Sequence, residues 1–84
     1  MITVTRSEST TTPRRGLPLT TITWAWGAER HAMQFHPGKG DLAEQNASDA
    51  IAREEARLAR RLGGIKVILA GTEYTRDADG RREE

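Results

Sequence analysis

A chain of 84 residues with 13 basic and 12 acidic side chains, net charge +1, makes one domain with a small core, since a chain of this size buries roughly 60% of its unfolded surface. The absence of cysteine excludes a disulfide framework, a thiolate metal site and a thiol nucleophile. No apolar run approaches the ~20 residues that span a bilayer and the first residues lack a signal-peptide core, so a cytoplasmic protein without a membrane segment is expected.

Residues 1–6 alternate Ile2 and Val4 with Thr3 and Thr5, the pattern of a short edge strand. Residues 7–16 then change to Ser, Thr, Pro and Arg, which predicts a loop or linker. Its Pro13-Arg14-Arg15-Gly16 cluster reads as a solvated loop rather than a phosphate site. From Leu17 the pattern turns strand-like again. Ile22, Trp24 and Trp26 fall on one face, and Thr21, Thr23 and Ala25 on the other. A turn at residues 27–30 leads to a second strand with His31, Met33 and Phe35 on one side. This hairpin holds both tryptophans and the sole phenylalanine, so its apolar face is expected to cover a helix.

The loop His36-Pro37-Gly38-Lys39-Gly40-Asp41 carries glycines and a lysine but lacks the spacing and the Ser or Thr of a phosphate loop. His31 and His36 are the only histidines, and on one strand they point to opposite faces, which is unsuited to a shared metal. With no serine in a nucleophile-elbow context, the residues offer no catalytic constellation. A non-enzymatic protein without cofactor or metal is expected.

The clearest element is a helix ending at Gly63. Ala47, Ile51, Leu58 and Leu62 recur at three-to-four-residue spacing on one face, Ala52, Ala56 and Ala59 widen the arc, and Arg53, Arg57 and Arg60 collect opposite. Its start is open between a capping box, Asp41 with Glu44, and a second N-cap at Ser48. A continuous helix from residue 42 would put Leu42 on the arginine side, which predicts a bend or restart near residues 46–48. Gly63 and Gly64 end the helix, and Ile65-Lys66-Val67-Ile68-Leu69-Ala70 reads as an inner strand. Residues 71–76 predict a last short strand anchored by Tyr74. Residues 77–84 contain no apolar side chain besides Ala78 and predict a flexible charged tail. The whole predicts an α+β fold, one amphipathic helix on one face of a small, mainly antiparallel sheet.

An N-terminal Ile-Thr-Val-Thr segment, a hairpin around Ile22 to Phe35, an Ala-rich helix ending at Gly63 and a closing Val67-Ile68-Leu69 strand resemble, in layout, some small phage anti-CRISPR inhibitors. The resemblance implies a protein that blocks a bacterial nucleoprotein complex by occupying a surface. It rests on no specific motif and carries no site residue.

The residues themselves point to the arginine ridge. Arg53 with Arg57, and Arg57 with Arg61, are like-charged helix neighbours that repel, although Asp49 and Glu54 offset part of this. Arginine suits bidentate contact with carboxylate or phosphate. Residues 41–84 hold eight basic and ten acidic side chains, short of the basic excess usual in a nucleic-acid module. Arg53, Arg57, Arg60 and Arg61 are therefore expected to bind another protein or nucleoprotein complex. A nucleic-acid-binding module and a small self-associating subunit, such as a homodimer, are the alternatives.

Overall fold

The computed structural model describes residues 1–83. The strands are β1 (Ile2–Thr11), β2 (Leu19–Trp26), β3 (Glu29–Phe35), β4 (Ile65–Leu69), β5 (Thr72–Arg76) and β6 (Arg82–Glu83), with the helix α1 (Asp41–Leu62) between β3 and β4. They form one six-stranded sheet in the order β3-β2-β1-β4-β5-β6. All neighbouring strands run antiparallel except β1 and β4, which are parallel. A parallel pair needs a crossover connection, and α1 lies on that connection. The fold is the expected α+β class, with one helix on one face of the sheet.

The first strand corrects the sequence expectation. Instead of a short edge strand it runs for ten residues and occupies the middle of the sheet. It joins the two hairpins end to end, because Ile2 to Thr5 pair with β4 whereas Thr5 to Thr11 pair with β2. Ser7 to Thr11, expected in a loop, continue as strand; the exposed connection is confined to residues 12–18. Their lack of apolar residues concealed this. A strand can be held by its ladder and its β-branched threonines without burying its own side chains.

The hairpin is as expected, with a two-residue connection at Gly27-Ala28 that sets Trp26 opposite Glu29 and fixes the register of the pair. Register then decides which side chains meet the helix. Val4, Ile22, Trp24, Ile65, Val67 and Tyr74 are buried from the sheet, and Ile51, Leu58 and Ala59 are buried from α1. The opposite sheet face carries no helix and presents Thr3, Thr5, Ser7 and Ser9 to solvent.

The helix is continuous from Asp41, with no restart near residues 46–48. Leu42 is simply left outside, 80% exposed. The first turn lacks the expected side-chain cap: Gly40 is the N-cap residue, and its carbonyl accepts from the Glu44 amide at 3.3 Å. At the other end Gly63 takes the left-handed conformation expected of it, φ 76°.

The tail is also corrected. Residues 77–81 form a built turn in which Asp77 Oδ1 accepts from the backbone amides of Asp79 and Arg81, and β6 then pairs with β5. Gly80 is buried against the helix. A Cβ there would come within 2.8 Å of the Ala56 carbonyl oxygen, so the turn seats where only hydrogen fits. Glu84 lies outside the described residues.

Candidate functional site

Three places hold chemistry beyond apolar packing: a buried carboxylate under the middle of α1, the arginine ridge on its outer side, and a cleft beneath its N-terminal half. The first was missed in the sequence. Glu55 lies between Ile51, Leu58 and Ala59 on the buried side of the helix and is fully inaccessible. An unpaired carboxylate there would be very costly.

Both of its oxygens instead accept hydrogen bonds. Oε2 accepts from Trp24 Nε1 at 2.9 Å, Tyr74 Oη at 2.6 Å and Arg6 Nη1 at 3.3 Å. Oε1 accepts from Arg76 Nε at 2.5 Å. Arg6 Nη1 also donates to the Tyr74 oxygen at 2.9 Å, and Arg82 stacks on the outer side of the Tyr74 ring, 4.1 Å from its centre. Every partner comes from the sheet, so one helical side chain ties α1 to β1, β2 and β5.

The electrostatics follow from these contacts. Burial pushes the Glu55 carboxyl upward, but hydrogen bonds from Arg76, Tyr74 and Trp24, with the Arg76 charge, outweigh it and hold the group below its ordinary value. Burial first, and then the bond to and charge of Glu55, push the Tyr74 hydroxyl up to about 12, with Arg6 opposing. Glu55 is therefore ionised and Tyr74 neutral at pH 7. Fully buried and hydrogen-bonded at both oxygens, this carboxylate holds the helix to the sheet.

The signal that reveals Glu55 is the helical period itself. The same spacing that places Ile51, Leu58 and Leu62 on one face puts Glu55 in the middle of that face. The alternation of Ile2 and Val4 likewise carries Arg6 onto the covered side of β1. A charge on a predicted buried face, met by arginines and a tyrosine on facing strands, is the pattern of a paired buried ion.

The arginine ridge is where the helical phase places it. Arg53, Arg57, Arg60 and Arg61 are all exposed on α1. Arg57, 71% exposed, meets Glu54 at 3.6 Å, and Arg60 Nη1 donates to the Asp79 carbonyl at 3.4 Å. Among the described residues, Arg53 and Arg61 make no ion pair within 4 Å. Arg57 and Arg61 line a recess with His31, Glu54 and Leu58.

The histidines stay apart. His31 is half-buried, its ring centre 5.8 Å from that of Trp24, with Nε2 2.7 Å from Glu54 Oε1. His36 lies past the end of β3, with Nδ1 2.8 Å from the Pro18 carbonyl oxygen. No group of three or more metal-ligating side chains occurs among the described residues, and no helix among them is long and apolar enough to cross a membrane.

The cleft, of about 310 Å³, is walled by Ala43, Ala47 and Ile51 of α1 and by Phe35, Pro37 and Gly38, with Arg6 and Thr20 among the sheet residues lining it. Its sheet lining is polar apart from Phe35, and the helix contributes Ala43 and Ala47 beside Ile51. Comparison with family models, curated proteins and solved structures found no match to this chain.

Proposed function

We propose that the protein is a small, non-enzymatic binding module that docks through α1 onto an acidic surface of another protein. The observation that supports this is the ridge itself: four exposed arginines on one helix, held by a single long ion pair to Glu54 and one contact to a backbone carbonyl. Exposed charges of this kind add little to folding, yet they set partner choice and association rate. Guanidinium groups held on a rigid helix are also pre-organised for bidentate pairing with carboxylates. An inhibitor acting on a bacterial nucleoprotein complex is one form this docking would take, and only the layout resemblance supports that form.

Changing Arg53, Arg57 and Arg60 together to Glu tests the docking reading. The triple variant is expected to keep its melting temperature and lose the proteins that the immobilised parent retains, as read by mass spectrometry. Retention of the same proteins by the folded variant would overturn it and direct attention to Thr21, Thr23 and Gln34 on the open sheet face and His36 beside it. Nucleic-acid binding is favoured instead if gel-shift activity is lost while protein retention persists.

A further inference from the structure

The charge count in the buried cluster does not close. One carboxylate, Glu55, faces two guanidinium groups, Arg6 and Arg76, which leaves one positive charge in excess beneath the helix. Arg76 donates its Nη1 to the Gly80 carbonyl, away from the cleft. Among the described residues Arg6 is the only cation lining the cleft, and its side chain is 18% exposed. Its Nη1 is committed inward to Glu55 and Tyr74. On the other edge of the same guanidinium, Nε is buried without a hydrogen-bond partner, and Nη2 makes no protein hydrogen bond among the described residues. A buried donor left unpaired is costly, and the Nε and Nη2 edge is the one that grips a carboxylate in a bidentate fork.

We propose that the cleft binds a small monocarboxylate with an apolar tail, its carboxylate on the Nε and Nη2 edge of Arg6 and its tail against Phe35, Ala47 and Ile51. The tail environment is set by those side chains together with Ala43 and Pro37. A volume of about 310 Å³ is at the small end of ligand cavities, about 300–1,000 Å³, and suits a molecule of fragment size. Glu8 and Glu44 also line the cleft; neither carboxylate forms an ion pair with Arg6 within 4 Å, and both disfavour negative charge on the ligand away from Arg6. The lining thus carries one cation and two carboxylates, so an anion is held only where it pairs directly with Arg6, and a second carboxylate is repelled. Pairing requires the guanidinium to turn so that Nε–H, buried in this structure, meets the ligand carboxylate. This site lies under the helix, apart from the outward ridge, and does not depend on the docking reading.

The test is a titration of the ¹⁵N-labelled protein at constant ionic strength with hexanoate, with hexanol as the neutral analogue and adipate as the dianion. Hexanoate is expected to shift the Arg6 Nε–H resonance and the amides of Phe35, Ala47 and Ile51 along one saturable curve. Hexanol and adipate are each expected to bind at least about tenfold more weakly, since a charge-assisted hydrogen bond is worth about that factor. Arg6→Lys keeps the charge and removes the fork, and should lose hexanoate binding. Because Arg6 also holds Glu55, a second variant, Ala47→Trp, fills the cleft and leaves the Arg6 contacts in place. It should abolish the hexanoate shifts with an unchanged melting temperature. Absence of a saturable hexanoate shift in the parent, equal binding of hexanol, or undiminished binding by Ala47→Trp would each overturn the proposal.

Discussion

Glu44 and Glu55 sit about three turns apart on nearly the same side of one helix, yet Glu44 is exposed and Glu55 is fully inaccessible. The difference comes from the sheet below them. Under Glu55 lie Trp24, Tyr74, Arg6 and Arg76, each with a donor to give. Under Glu44 lies the cleft, where the sheet offers Thr20, Glu8 and an Arg6 whose Nη1 is already committed to Glu55 and Tyr74, and the next wall is Phe35. All four buried residues of α1 lie from Ile51 onward, and residues 41–50 have none. Helical periodicity therefore determines which side of a helix faces inward. It does not determine whether anything stands there to bury it.

The sharpest way to break this comparison is to remove each glutamate in turn. Glu55→Ala leaves two guanidinium groups without their counter-ion and should cost about 3–5 kcal/mol. Glu44→Ala should stay within about 0.5 kcal/mol of the parent. Urea unfolding measures both, and equal losses would show that the two halves of the helix are alike.

Next in size is Leu58→Ala, which empties a packed site three residues beyond Glu55 and should cost about 2–5 kcal/mol. A melting temperature within a degree or two of the parent would mean that the helix phase is wrong. Gly80→Ala, at φ 89° and facing the Ala56 carbonyl, should cost less, about 1–3 kcal/mol. Parent-like stability in that variant would show that the terminal turn does not clamp the C-terminal half.

The pH dependence separates the cluster from ordinary surface charge. Glu55 has a folded pKa below its unfolded one, so its contribution is full above the unfolded value, about 4.5, and is lost as pH falls through the lower folded value. Tyr74 is shifted the other way, from 10.0 to about 12. Its contribution is full below pH 10 and is lost as pH rises from there towards 12. Denaturation across pH should therefore give a plateau with an acid limb that flattens in Glu55→Ala and an alkaline limb that flattens in Tyr74→Phe. Limbs unchanged in those variants would assign the pH dependence elsewhere.

What was legible in the sequence divides along the same physical line. The hairpin, the helix stop at Gly63 and the strand β4 were readable because apolar period and glycine conformation are local properties. The ridge was readable for the same reason, since four arginines fall on one side of any regular helix of that phase. The second half of β1 and the terminal turn were not, because Ser7 to Thr11 are held by pairing with β2, and residues 77–81 by Asp77 and a close fit to Ala56. Such support depends on distant partners that composition does not show. The continuity of α1 was hidden by Leu42, whose exposure argued for a bend that the chain does not make. Glu55 was visible as a position and missed as a meaning, for its role needed Arg6, Trp24, Tyr74 and Arg76 to converge on it from three strands.

Amide hydrogen exchange along α1 tests the contrast between its halves most directly. The first four amides have no intrahelical acceptor in any helix, so the comparison is between residues 45–50 and residues 51–62. The amides of Ile51 to Leu62 are expected to exchange only through global unfolding, while those of Gln45 to Ala50 exchange faster through local opening. Uniform protection across both stretches would contradict the account.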